Sequence, residues 1–261
     1  MREQLVIRWP QQPDGAFAWV SIDADGRPQG KILEGTLETC AAAAGGRRVI
    51  VLVPSFDVLL SRARVPTKNR RRLLQALPYA MEEQLSEDIG ELHFALGTQE
   101  EDGSYSVAVV AREKIASWLS ALKEVGLRPD VMIPEVTALP IDASHWSVMV
   151  FGDSALVRTG ETAGFGCDVA SVSSLFNMAV AEAGEAAPDT VMLYARPDSA
   201  SLDLQPALTS TLTPIEHPLQ ALLKGLDTGA TLNLLQGAYS RSDQMQKLWQ
   251  PWRAVAAVLI A

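Results

Sequence analysis

A chain of 261 residues has room for two or three small domains, and its 48% hydrophobic against 20% charged residues excludes a disordered protein. The net charge of −9 repels nucleic acid and anionic lipid over most of the surface, which excludes duplex binding as a main role. The two cysteines, Cys40 and Cys167, match neither a zinc spacing nor a disulfide framework, so a reducing compartment is expected.

The opening "MREQLVIRWPQQ" has no continuous apolar run of the signal-peptide kind. "QLVIRW", "AFAWVSI" and "GKILEGTL" read as strands separated by Asp14-Gly15 and Asp25-Gly26, dipeptides that favour tight hairpins. "LETCAAAAGG" predicts a short helix closed by a glycine pair. "RVIVLVP" follows as an unbroken apolar run, suited to a strand covered on both faces. Three antiparallel strands, a helix and a buried strand form the front half of a ribonuclease-H-like unit. Two such units build an actin-like protein.

Between 56 and 110 the pattern changes: a strand in "DVLLSRARVP", a helical stretch over 67–89, and a hairpin turning at Asp102-Gly103. "REKIASWLSALKEVGL" places Ile115, Trp118, Leu119 and Leu122 at helical spacing, stopped by Gly126, and "RPDVMIPEV" adds a strand. From 141 the first order returns as three turn-linked strands in "HWSVMVFGDSALVRTGETAGFGCD", a helix ending at Gly184, and the strand "DTVMLYA". Residues 196–215 read as connecting loop and edge strand. The expected organisation is an α/β protein of two actin-like, ribonuclease-H-like lobes with a small inserted α+β domain. The first lobe takes 1–55 and 111–140, the insertion 56–110, the second lobe 141–240, and 241–261 a linker entering a membrane helix.

That last expectation rests on "KLWQPWRAVAAVLIA", where Ala254–Ala261 carries no polar residue. Eight apolar residues fall short of the roughly 20 that span a bilayer. Trp249 and Trp252 stand beside Arg253 in the manner of an interfacial aromatic belt with a cytoplasmic positive flank. An ordinary C-terminal core helix is the alternative.

Catalytic chemistry is sought without success. An actin-like ATPase needs two hairpins whose Asp-x-Gly turns bring backbone N–H groups to the phosphates. The first hairpin here is "RWPQQPDGAF", where Pro10 removes a donor; the second is "VFGDSALV", with no Asp-x-Gly. "GRPQGKI" is one residue short of a Walker loop and has Ile32 in place of Ser or Thr. The glycine-rich "GETAGFG" lacks a GxGxxG register and reads as a hairpin rim. "GDSA" puts Ser154 after a Gly-Asp pair as in some esterases, but His93, His145 and His217 stand in no triad context. Scattered singly, they suit surface or lightly buried roles better than metal ligation. Neither a metal nor a cofactor is expected.

"TKNRRRLLQALPYAMEEQLSED" places Lys68, Arg70, Arg71 and Arg72 at one end of a helical stretch and Glu82, Glu83, Glu87 and Asp88 at the other. That order opposes the helix dipole at both ends. A break at Pro78, which suits the first position of a helix, predicts two helical pieces and returns Glu82 and Glu83 to an N-terminus. Leu74, Leu77, Met81 and Leu85 are expected to face the inserted sheet. The arginines either meet carboxylates within the chain or present forked donors to an acidic partner surface.

The stretch "VLVPSFDVLLSRARVPTKNRRRLLQALPYAMEEQLSEDIGELHFALG", with "LNLLQGAY" leading into "WQPWRAVAAVLIA", closely resembles the L-component of the type II secretion system. The likeness runs over essentially the whole chain; one departure is Met81, where leucine is expected, a change that keeps apolar volume. The resemblance implies a non-catalytic, single-pass inner-membrane scaffold whose cytoplasmic part has actin-like lobes with an insertion. It further implies recruitment of the secretion ATPase, the E-component, through that ATPase's N-terminal domain. Homodimerisation and association with the M-component and F-component are implied as well. Under it, the partner surface is assigned to Lys68, Arg70, Arg71, Arg72, Glu82, Glu83 and Glu87, and membrane entry to Trp249, Trp252 and Arg253. The competing readings are an actin-like ATPase and a membrane adaptor of the pilus-assembly or cell-division type.

Overall fold

The computed structural model describes residues 3–67, 69–142, 144–197, 209–226 and 232–240. Strands β1 (Gln4–Arg8), β2 (Phe17–Ile22) and β3 (Pro28–Gly35) form an antiparallel meander. Helix α1 (Leu37–Ala44) ends on Gly45, whose φ of 52° is the left-handed conformation that a glycine cap supplies without strain. It leads into β4 (Arg48–Val53), which pairs parallel to β1.

A second, three-stranded sheet follows. It holds β5 (Val58–Ala63), β6 (Leu92–Gln99) and β7 (Tyr105–Ala111) in the antiparallel order β5-β7-β6. Helix α2 (Arg70–Met81) lies on it through Leu73, Leu77 and Met81, all buried. The expected stripe does face this sheet, with Leu74 and Leu85 partly covered against the core, and the structure adds Leu73, buried at 1% exposure.

The expected break at Pro78 does not occur. Helix α2 runs through it to Met81, and Glu82–Gln84 add a single 3₁₀ turn. An interior proline costs about 3 kcal/mol. Burying each large apolar side chain stabilises by about 1.5–3 kcal/mol, so Leu73, Leu77 and Met81 together outweigh it. Glu82 and Glu83 consequently lie past the helix's negative end, and the unfavourable charge order stands at both ends.

After α3 (Arg112–Glu124), β8 (Val131–Pro134) pairs with β4 and completes a five-stranded sheet in the order β3-β2-β1-β4-β8. The unbroken apolar run of β4 has a direct reason. Val49, Val51 and Val53 enter the core beneath α1 and α3, while Ile50 and Leu52 enter the opposite one.

The third sheet repeats this plan. β9 (His145–Phe151), β10 (Ser154–Arg158) and β11 (Gly164–Asp168) are antiparallel. After α4 (Val169–Ala183), β12 (Thr190–Ala195) and β13 (Thr209–Pro214) add in parallel, giving the order β11-β10-β9-β12-β13. Both five-stranded sheets thus have the ribonuclease-H strand arrangement, and the fold is actin-like α/β.

Helix α5 (Pro218–Gly225) was not expected from the sequence. His217 caps it with Nδ1 accepting from Leu219 N–H at 3.0 Å, and proline opens its first turn. Leu219 and Leu222 share one core with Ile50 and Leu52 of the first sheet and Met149 and Leu156 of the third. No helix among the described residues is long and apolar enough to cross a membrane.

Candidate functional site

In this architecture a ligand would meet the carboxyl ends of β1, β4 and β8, beside the point where the sheet order reverses. The chain fills that place with its own side chains. Arg8, ending β1, bonds through Nε to Glu135 Oε2 at 2.6 Å, and the Glu135 side chain is wholly buried. Gln11 reaches the other Glu135 oxygen at 3.5 Å, and its carbonyl accepts the Ser154 hydroxyl at the start of β10. Ser55, after β4, accepts from Val136 N–H at 2.9 Å. The β1–β2 and β9–β10 turns, the two that would hold phosphates, are therefore joined directly. Trp9 N–H is already committed to Leu52 O at 2.8 Å, and the Trp9 ring packs edge-on against Phe17.

This arrangement also answers the esterase question. The Ser154 hydroxyl is bound to Gln11, while His217 is engaged by Leu219 N–H and by Glu34, 3.1 Å from its Nε2. Among the described residues no group of three or more potential metal ligands is found. His93 is buried more deeply than the expected surface or lightly buried role: Nε2 donates to Leu234 O at 2.8 Å and Tyr239 stands edge-on to the ring. Burial pushes the His93 imidazole below its ordinary value, with the Arg112 charge acting the same way against the Leu234 bond. Burial likewise lowers His217.

A depressed histidine gives stability that is present above the unfolded value of about 6.5 and is lost as pH falls through the folded value. Melting between pH 7.5 and 5 should therefore show falling thermal stability, with a smaller fall in His93→Gln. A stability that rises toward pH 5 would contradict this.

The charged helix is the second feature. Asn69 caps α2 by accepting from Arg72 N–H at 3.1 Å, so Arg70, Arg71 and Arg72 occupy its first turn. Arg71 and Arg72 are exposed and have no ion pair among the described residues; Arg70 donates to Gln236 Oε1 at 3.3 Å. Glu82, Glu83 and Glu87 are exposed at the far end, about 18 Å away by helix rise. The structure thus keeps the basic and acidic residues apart as two patches. Lys68, Trp249, Trp252 and Arg253 lie outside the described residues. Beside the acidic patch runs a groove of about 540 Å³ lined by Phe56, Leu59, Leu85, Glu87 and Lys114. Phe56 and Leu59 are 45% and 46% exposed there, which leaves unburied apolar surface next to carboxylates.

Sequence reasoning missed the strap formed by 232–240. The Gln236 amide completes the β6 edge as a strand would, accepting from Leu96 N–H at 3.2 Å and donating to Leu96 O at 2.9 Å. Asn233 Oδ1 accepts from Met132 N–H at 3.0 Å, and Leu234 N–H donates to Met132 O at 2.8 Å, on the β8 edge. Leu232 and Leu234 are buried. The signal was present as "LNLLQGAY", but nothing local says which edges those amides meet.

The family profile of type II secretion system (T2SS) protein L matches residues 5–242. The chain belongs to that family. It is 29% identical over 264 residues to the type II secretion system protein L of Dickeya chrysanthemi, covering 100% of this chain and 62% of that protein. With the protein L of Vibrio cholerae it shares 27% over 265 residues, covering 97% and 62%. The chain thus spans about 62% of the length of these relatives. Among solved structures, the cytoplasmic domain of EpsL, an inner-membrane component of the type II secretion system of Vibrio cholerae, has the same fold. Its TM-score is 0.78 at 24% identity, covering 91% of this chain and 100% of that one.

Proposed function

We propose that the chain is a non-catalytic scaffold of the type II secretion inner-membrane platform, which recruits the secretion ATPase through that ATPase's N-terminal domain. The observation that carries this reading is α2, whose Arg71 and Arg72 oppose the helix dipole with no ion pair among the described residues. Each misplaced charge costs about 0.3–1 kcal/mol, a cost that a partner's carboxylates would offset. The groove at the acidic end, with its exposed Phe56 and Leu59, offers apolar area to the same partner.

The reading divides the chain into lobes over 1–55 with 111–140 and over 141–240, with 56–110 as the docking insertion. It places this portion in the cytoplasm, ahead of a single inner-membrane span entered near Trp249, Trp252 and Arg253. Homodimers and contacts with the M-component and F-component belong to it. An ATPase role is disfavoured by the Gln11–Ser154 bond and the buried Arg8–Glu135 pair, which fill the place of the phosphates.

The discriminating variant is Arg71→Glu with Arg72→Glu. Removing charge opposed to the dipole should raise the variant's own stability by about 0.3–1 kcal/mol per site. The same change should weaken binding of the ATPase N-terminal domain at least tenfold by calorimetric titration. Unchanged affinity with raised stability would remove these arginines from the interface. A wild-type chain that binds nothing at tens of micromolar would end the reading.

A further inference from the structure

A cleft of about 1050 Å³ opens between β3 and α5, with Phe151 of β9 and Arg196, just past β12, also in its wall. Arg27, Lys31, Arg196 and Lys224 line it, and none of the four has an ion pair among the described residues. Lys224 stands only over the Tyr194 ring, 5.9 Å from its centre. Two carboxylates share the lining with these four cations: Glu34, which accepts from His217 Nε2 at 3.1 Å, and Glu216. A chain with 31 acidic and 22 basic residues has carboxylates to spare, yet the lining of this cleft is cationic on balance. Such a concentration of like charge raises the local level of anions and disfavours the free state.

Apolar side chains share the cleft: Ile32, Leu33, Leu223 and Phe151, with Leu33 half exposed. Strand β3 is the outer strand of its sheet, so its far edge pairs with no strand among the described residues. Pro28, Lys31 and the irregularity between Trp19 and Ser21 protect the early half of that edge from casual pairing. Its later half, Leu33–Gly35, is in regular register with β2 and carries no such interruption.

We propose that this cleft docks an extended segment of a partner protein in which acidic and apolar residues alternate. Carboxylates would meet Arg27, Lys31, Arg196 and Lys224, apolar side chains would cover Leu33 and Phe151, and the backbone would pair along the end of β3. A nucleotide fits less well, because the turns that would donate to its phosphates are bonded to each other through Gln11 and Ser154. The proposal is independent of ATPase docking at α2, which lies on another sheet.

The test is fluorescence anisotropy on the 261-residue chain with a labelled octapeptide of alternating glutamate and leucine. Its glutamine–leucine counterpart, ATP, and vesicles containing phosphatidylglycerol complete the set. Saturable binding of the acidic probe is expected, weakened at least tenfold in Arg27→Glu/Lys31→Glu and by elevated salt. The variant Arg62→Glu/Arg128→Glu, with both charges exposed elsewhere, should change it less than twofold. Four results would overturn the proposal: no binding; equal binding by both double variants; displacement by ATP at matched concentration, which marks a small-anion site; or charge-dependent capture by vesicles without peptide binding, which marks a lipid site.

Discussion

Glu135→Ala should destabilise the protein by about 3–5 kcal/mol, because it leaves the Arg8 guanidinium charged and without its carboxylate. The Arg8 side chain is only 15% exposed and its partner is wholly buried, so water cannot take the lost partner's place. Loss of Glu135 also frees Gln11, which connects that carboxylate to Ser154 across the two turns. Replacing both Arg8 and Glu135 by leucine should cost far less than the single change, since no unpaired charge remains. Urea denaturation of the two variants beside the unaltered protein measures this directly. A loss below 1 kcal/mol in Glu135→Ala would mean that the pair does not hold the interlobe floor.

Gly225→Ala should cost about 3 kcal/mol through overpacking. A Cβ at that position would lie 2.4 Å from Leu139 C, Leu139 O and Pro140 N, all of them backbone atoms with no rotamer to yield. Helix α5 or the 139–140 segment must therefore move, and α5 carries the leucines shared by both five-stranded sheets. The expected signature is a lowered urea midpoint. Wild-type stability in Gly225→Ala would show that α5 is not seated against Leu139 and Pro140.

Much of the architecture was legible locally. The continuous run of β4 announced a strand between two cores, and the strand–turn–strand order announced both five-stranded sheets. One error came from the weight given to proline, and one helix went unread. Pro78 was read as a helix start, but packing of Leu73, Leu77 and Met81 carries α2 through it. The residues just after 215 were assigned no element, although "HPLQALLKG" joins an N-terminal cap to leucines at helical spacing.

The site was less legible, because its meaning lies in distant partners. Arg8 meets Glu135 across 127 positions, and Gln236 meets Leu96 across 140. The failed phosphate turns could be seen as missing motifs. That the two turns are bonded to each other could not.

The central claim is that this actin-like body has given its interlobe floor to internal bonding and that its inserted sheet and α2 hold the secretion ATPase. Hydrogen–deuterium exchange, with and without the ATPase's N-terminal domain, tests it most directly. The account predicts slowed exchange confined to α2, the adjoining 82–92 segment and the groove residues 56–59, with the β1–β2 and β9–β10 turns unchanged and insensitive to ATP. Protection of those two turns by ATP, or an ATPase footprint that leaves α2 untouched, would contradict it.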